Sequence, residues 1–232
     1  MKSPIRLAPI LQRFGLAILY VSMTVSGASA AAYPNMAPIA QYQSVDRATE
    51  IALARSAAPA SISGRAQILT LGKHGYETAV SGSNGFVCLV VRSWDVDFDN
   101  PEFWNPKFRA PQCFNAAGAN SILRNYLERT QWVLAGDSIA KMRAHARSHK
   151  PAPGSVCYMM SRQAYLNDTV AGPWYPHVMF YSLDKPADWG ANLPDSPVRA
   201  DAKSYAPVTI FMVIVQKWSD GTPSTKKVAK GM

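Results

Sequence analysis

Apolar residues follow two different periods along this chain. Short apolar runs at Ala66–Leu71, Tyr76–Val80 and from Phe86 onward are separated by glycine-bearing turns at 72–75 and 81–85, which predicts a β-meander. In the third run both alternating sets, Cys88 and Val90 on one side and Val87, Leu89 and Val91 on the other, are apolar, as in a strand covered on both faces. Beyond Val91 the even positions Trp94, Val96 and Phe98 stay apolar while Asp95, Asp97 and Asp99 take the odd ones. That alternation predicts a strand emerging with one face in water. Further on, Ile122, Leu123, Tyr126, Leu127, Val133 and Leu134 recur at helical spacing and predict a helix from about Ser121 to Ala135. Ile139, Met142 and Ala146 predict another from Ser138 to His149, ended by Pro151. An earlier helix, capped by Ser44 or Asp46, runs to the stop at Ala57-Ala58-Pro59. Ser155–Met160, His177–Ser182 and Val208–Trp218 read as strands. The stretch Asn100–Ala119, carrying Pro101, Pro106 and Pro111, reads as an ordered loop without regular helix or central strand.

A block of strands, then helices, then strands again predicts an α+β fold: a single domain, mainly an antiparallel sheet with about three helices packed on it. Its limits are set by composition. Lys2, Arg6 and Arg13 precede an apolar run from Phe14 to Val25 and the small residues Ala28-Ser29-Ala30, the pattern of a secretory signal peptide over 1–30 with a mature chain from Ala31. Residues 31–43, rich in Ala and Pro, read as a flexible leader, 44–224 as the globular domain and 225–232 as a flexible basic tail. Past the signal peptide no run is long and apolar enough to span a bilayer. The expected location is therefore exported, periplasmic or extracellular.

The formal charge of +9 first suggests a nucleic-acid partner. Three of the basic residues lie in the signal peptide, however, and Lys226, Lys227 and Lys230 lie in the tail, which leaves 18 basic against 15 acidic residues in the body. No cluster of Lys and Arg interleaved with aromatics occurs there, so a nucleic-acid face is not expected. A protein, peptide or glycan ligand fits better with the aromatic stretches Gly172-Pro-Trp-Tyr-Pro-His177 and Asp188-Trp-Gly-Ala-Asn192.

Export places Cys88, Cys113 and Cys157 in an oxidising compartment. The expected disulfide joins Cys88 to Cys113, a closure worth roughly 3 kcal/mol in loop-entropy terms. Four further groupings carry candidate chemistry. Asp95, Asp97 and Asp99 with Glu102 have the alternate spacing of oxygen ligands for calcium, although the positions a helix-loop-helix calcium site reserves for Gly and Glu hold Asn100 and Pro106. Cys157 and Met159, with His177 and Met179, present thiol, thioether and imidazole groups of the kind that bind copper(I), each pair on one face if both segments are strands. His145 and His149, spaced i, i+4, suit zinc, but no Glu follows His145, and the surrounding Lys141, Arg143, Arg147 and Lys150 read as cations at a helix C-terminus.

The fourth grouping, Trp132-Val-Leu-Ala-Gly-Asp-Ser-Ile139, resembles the nucleophile block of the SGNH (GDSL-type) hydrolases. The resemblance covers about eight residues and implies an esterase-like activity with Ser138 as nucleophile and His177, the late histidine, as base. It departs from the family pattern in lying past the middle of the chain and in lacking the Gly-x-Asn-Asp and Asp-x-x-His blocks. Gly136 also suits the residue just past a helix end, and Asp137 or Ser138 the cap of the next helix. With no complete nucleophile, base and orienter set, no phosphate loop and no cofactor signature, the leading expectation is a non-catalytic binding or interaction module of the cell envelope. The serine hydrolase and a calcium- or copper-binding protein are its alternatives.

Overall fold

The computed structural model describes residues 33–44, 46–147, 149–168 and 174–224. The signal peptide and the basic tail read from the sequence lie outside them. The described residues form one compact unit, a mixed α/β fold on a single eight-stranded sheet. The strands are β1 (Gln67–Gly72), β2 (Gly75–Val80), β3 (Val87–Val91), β4 (Ala110–Phe114), β5 (Val156–Met159), β6 (His177–Ser182), β7 (Val198–Tyr205) and β8 (Val208–Ile214). The helices are α1 (Arg47–Arg55), α2 (Ala60–Ser63), α3 (Ala116–Asn120), α4 (Leu123–Leu134) and α5 (Ile139–His145). The sheet order is β2-β1-β3-β4-β5-β6-β8-β7. All pairings among the described strands are antiparallel except that of β1 with β3, which is parallel. The first three strands are therefore a hairpin followed by a strand on the far side of β1, and not the meander expected from turn spacing.

Central strand β3 shows how the apolar pattern builds the layers. Cys88 and Val90 face α1 in a small cluster with Ala54, Ala57, Ile68 and Cys113, while Leu89 and Val91 join the main core with Phe114, Tyr126, Met179 and Ile210. Cys88 and Cys113 stand directly opposite each other on β3 and β4 and form a disulfide beneath α1. Helix α1 starts at Asp46, whose carboxylate accepts from Thr49 N at 2.7 Å. Helix α4 ends at Gly136, where φ is +77°: Gly136 N donates to Val133 O and Asp137 N to Trp132 O, a pattern that closes the last turn and suits a residue without Cβ.

Several expected boundaries differ, each for a local reason. Strand β3 stops at Val91, and Ser93–Asp95 form a 3₁₀ turn that buries both Trp94 and Asp95, so the alternate aspartates do not mark a strand with a wet face. The expected loop over 100–119 contains β4 and all but the last residue of α3, and β4 is internal to the sheet. Pro111 is tolerated there because Arg109 and Asn115, of the same parity, send their N–H groups to Tyr165 and Val156. Its ring nitrogen falls in the gap between that bridge and the first β5 pair, Cys113 with Tyr158, where no ladder donor is required. Tyr42, at the end of the segment read as a leader, is fully buried, donates to Trp104 O at 2.8 Å and lies 4.9 Å from the Trp94 ring. The last strand ends at Ile214 and α5 at His145, four residues short of His149.

Candidate functional site

Between the turn that follows β3, one face of α4 and the β5–β6–β8 part of the sheet lies a cavity of about 360 Å³. Most of its wall is apolar. Phe108, Tyr126 and Trp174 supply aromatic surface, and Met159, Met179 and Met212 supply thioethers. Its polar groups include Asp95, Asp97, Asp201, Lys203 and His177. Each is placed by a different element: Asp95 by the 3₁₀ turn, His177 by the first position of β6, and Asp201 and Lys203 by edge strand β7.

Asp95 is 6 % exposed. Its Oδ1 accepts from Tyr205 Oη at 2.9 Å, and its Oδ2 has no hydrogen-bond partner among the described residues. Burial raises its carboxyl to about 7, against the pull of the Arg129 and Arg92 charges and the Tyr205 hydrogen bond. Arg129, on the buried face of α4, donates to the carbonyls of Trp94, Val96 and Ser204, and its guanidinium carbon stands 4.4 Å from the ring centres of both Phe98 and Tyr205. Neither Arg129 nor Tyr205 is part of the cavity wall, which they support from behind. Deeper in the core, Tyr126 and Tyr181 share a hydroxyl–hydroxyl contact of 3.2 Å.

His177 is 1 % exposed, with Nδ1 2.7 Å from Tyr175 O. A carbonyl only accepts, so Nδ1 carries the proton and Nε2 is left with its lone pair. Burial lowers the imidazole to about 4, and the ring is neutral at ordinary pH.

The candidates named from the sequence separate clearly. Ser138 is an exposed N-cap whose side chain accepts from Lys141 N at 3.2 Å, and no hydrogen bond connects it to buried His177. Glu102 accepts from Asn105, Asp99 pairs with Arg143 on the surface, Asp97 accepts from Asp99 N and Asp95 faces Tyr205. The four are thus engaged apart, and among the described residues no three His, Cys, Asp or Glu side chains converge on a point that could hold a metal ion. His149 lies beyond the end of α5 and its Nε2 is 2.8 Å from Glu128, so the i, i+4 spacing places no pair of imidazoles on one helical turn. Trp189 stacks on Phe211 with ring centres 4.3 Å apart, an anchoring role. By contrast, Cys157 stands opposite Met179, and Met159 opposite His177, on neighbouring strands. All four are buried on one face of the sheet, and Met159, His177 and Met179 line the cavity. Burial holds the Cys157 thiol protonated, well above its ordinary range.

Tyr205, Arg129 and Asp201 did not stand out in the sequence. One signal for Arg129 was present: it sits three residues after Tyr126 on the apolar face of a helix, where an unpartnered cation is costly. Comparison with known proteins finds no matching family model, no similar curated protein and no similar solved structure.

Proposed function

We propose that this chain is an exported, non-catalytic α+β binding module of the periplasm or extracellular space, and that it holds a small, mainly apolar molecule in the cavity above β5, β6 and β8. The observation that carries this reading is the cavity itself. At about 360 Å³ it falls in the size range of small-molecule sites, and it has their composition, apolar walls with a few placed polar groups. Export is supported by the disulfide and by the signal-peptide pattern of the first thirty residues. A neutral apolar fluorophore such as N-phenyl-1-naphthylamine is expected to bind saturably at one site per chain. Met212→Trp, which fills the cavity from a partly exposed position, is expected to weaken that binding by about tenfold or more without lowering the Tm. Non-saturable binding, or binding that Met212→Trp leaves unchanged, defeats the reading.

A second reading is favoured by the strand register. Cys157, Met159, His177 and Met179 form a block of four soft donors, and the His177 ring has the orientation of many metal-ligating histidines, with one nitrogen on a backbone carbonyl and the other without a hydrogen bond among the described residues. If the site takes copper(I), the protein withdraws one equivalent from a bicinchoninate complex, and His177→Ala with Met179→Leu abolishes the withdrawal. Failure of the unmodified protein to compete removes copper from consideration.

A further inference from the structure

We propose that the molecule held in the cavity is an alcohol or phenol, an apolar body carrying a neutral hydroxyl that donates to His177 Nε2. This rests on reading the cavity as a ligand site and names the class of ligand.

The polar groups of the cavity fall into two sets. Asp97, Asn100 and Asp201 are only partly buried and Lys203 is exposed, so water completes the bonds they lack. The second oxygen of Asp97, whose first accepts from Asp99 N, belongs to this solvent-side set. Asp95, Gln112, His177 and Ser204 form the buried set. The Ser204 hydroxyl is spent on Asp201. Asp95 Oδ1 is taken by Tyr205, and its Oδ2, although unpartnered among the described residues, is closed to water and offers nothing to a ligand. Gln112 ends in an amide, which both donates and accepts and so selects neither kind of group. His177 has a fixed polarity. With Nδ1 donating to Tyr175 O at 2.7 Å, Nε2 can only accept, and burial lowers the imidazole to about 4, which keeps the ring neutral. Nε2 has no hydrogen bond among the described residues, and unlike Asp95 Oδ2 it is not closed. His177 is 1 % exposed and borders the cavity, so the little surface it keeps open is cavity surface.

Around that acceptor the wall is apolar. Met159 stands opposite His177 on β5, Met179 follows two residues along β6 on the same face, and the Trp174 ring lies edge-on to the imidazole with centres 5.0 Å apart. A buried acceptor in such surroundings is completed by one donor, and a ligand that seals it without supplying one loses affinity. A hydroxyl supplies the donor without a charge. An ammonium brings three donors and a charge, and the carboxylates bordering the cavity that remain open to it, Asp97 and Asp201, are on the solvent side, so its desolvation is not repaid beside His177. An ether of the same shape has no donor and leaves Nε2 unpaired.

Three probes sharing one body separate these cases: 4-phenylbutan-1-ol, its methyl ether and 4-phenylbutylamine, titrated calorimetrically into the protein at neutral pH and checked for displacement of N-phenyl-1-naphthylamine. The alcohol is expected to bind about tenfold more tightly than the ether, and the amine more weakly than the alcohol. His177→Phe, which keeps a ring and removes the acceptor, is expected to bring the alcohol down to the level of the ether. Asp97→Asn is expected to leave the difference intact. Where His177→Phe does not fold, nitrogen NMR of the histidine-labelled native protein decides: the His177 Nε2 resonance should move on adding the alcohol and stay in place on adding the ether. Equal affinities for alcohol and ether, a preference for the amine, a difference that survives His177→Phe or vanishes in Asp97→Asn, or an Nε2 resonance that the alcohol does not move overturns the assignment while leaving the cavity a ligand site. If the fluorophore and all three probes fail to bind, the cavity reading falls and the assignment with it.

Discussion

Replacing Glu50 with Ala is expected to destabilise the fold by about 3–5 kcal/mol, the usual cost of leaving one member of a buried ion pair alone. Glu50 and Arg92 are 3 % and 0 % exposed, and Arg92 Nη2 donates to both Glu50 oxygens at 2.7 and 2.8 Å. The pair is also a junction of four segments. Arg92 donates through Nε to Tyr42 O at 2.6 Å and through Nη1 to Val90 O, while Glu50 accepts from Leu71 N at 3.3 Å and from the Ser44 hydroxyl. Removing the carboxylate strands the guanidinium in the interior and frees the packed segment before α1, the turn of α1 that carries Glu50, and the end of β1. Urea denaturation of Glu50→Ala checks this, and a loss under about 1 kcal/mol would show the pair to be dispensable. The double variant Glu50→Met with Arg92→Met should recover much of the loss, because it leaves no unpaired charge.

This junction was not readable from the sequence, and the reason is general to the chain. Periodicity reports which face of an element is apolar, so the two-sided burial of β3, the buried face of α4 and the helix break at Gly136 could all be read. It does not report where an element stops when the stop is imposed by tertiary contacts. Trp94 turns inward to donate its indole N–H to Thr130 at 3.0 Å, and the chain bends into a 3₁₀ turn although the alternation of apolar and acidic residues continues to Asp99. Strand β7, Val-Arg-Ala-Asp-Ala-Lys-Ser-Tyr, has no apolar alternation because it is the sheet edge and pairs with β8 alone, with an irregular register between Asp201 and Tyr205. Strand β4 was hidden by a proline that a gap in its ladder with β5 tolerates. The cavity suffers most from this blindness. Asp95, Tyr126, His177 and Asp201 come from four elements, and only sheet order brings them to one place. Within single strands the shared face could be read in advance, Cys157 with Met159 and His177 with Met179, but that the two strands pair and bring all four together could not.

The second large effect is expected at Arg129, and it carries a pH signature. Arg129→Met keeps an apolar stem between Phe98 and Tyr205 but leaves the carbonyls of Trp94, Val96 and Ser204 without their donor, which should cost about 3 kcal/mol or more. It also removes the leading influence that holds the Asp95 carboxyl down against burial. In the native protein that carboxyl sits at about 7, above its ordinary value, so the folded state keeps a proton that the unfolded chain releases, and stability falls as pH rises from the unfolded value toward about 7. Without the guanidinium the folded value moves higher still, and the fall continues past pH 7. Near pH 5 Asp95 is protonated in both folded proteins and the deficit reflects the lost hydrogen bonds; at pH 8 the added cost of a buried carboxyl that ionises less readily appears on top. Denaturation of the two proteins at pH 5 and pH 8 should therefore give a larger deficit at pH 8. Equal deficits would mean that Arg129 is a purely structural tie, and that the charge of Asp95 is set by its burial and by Tyr205 without help from the helix.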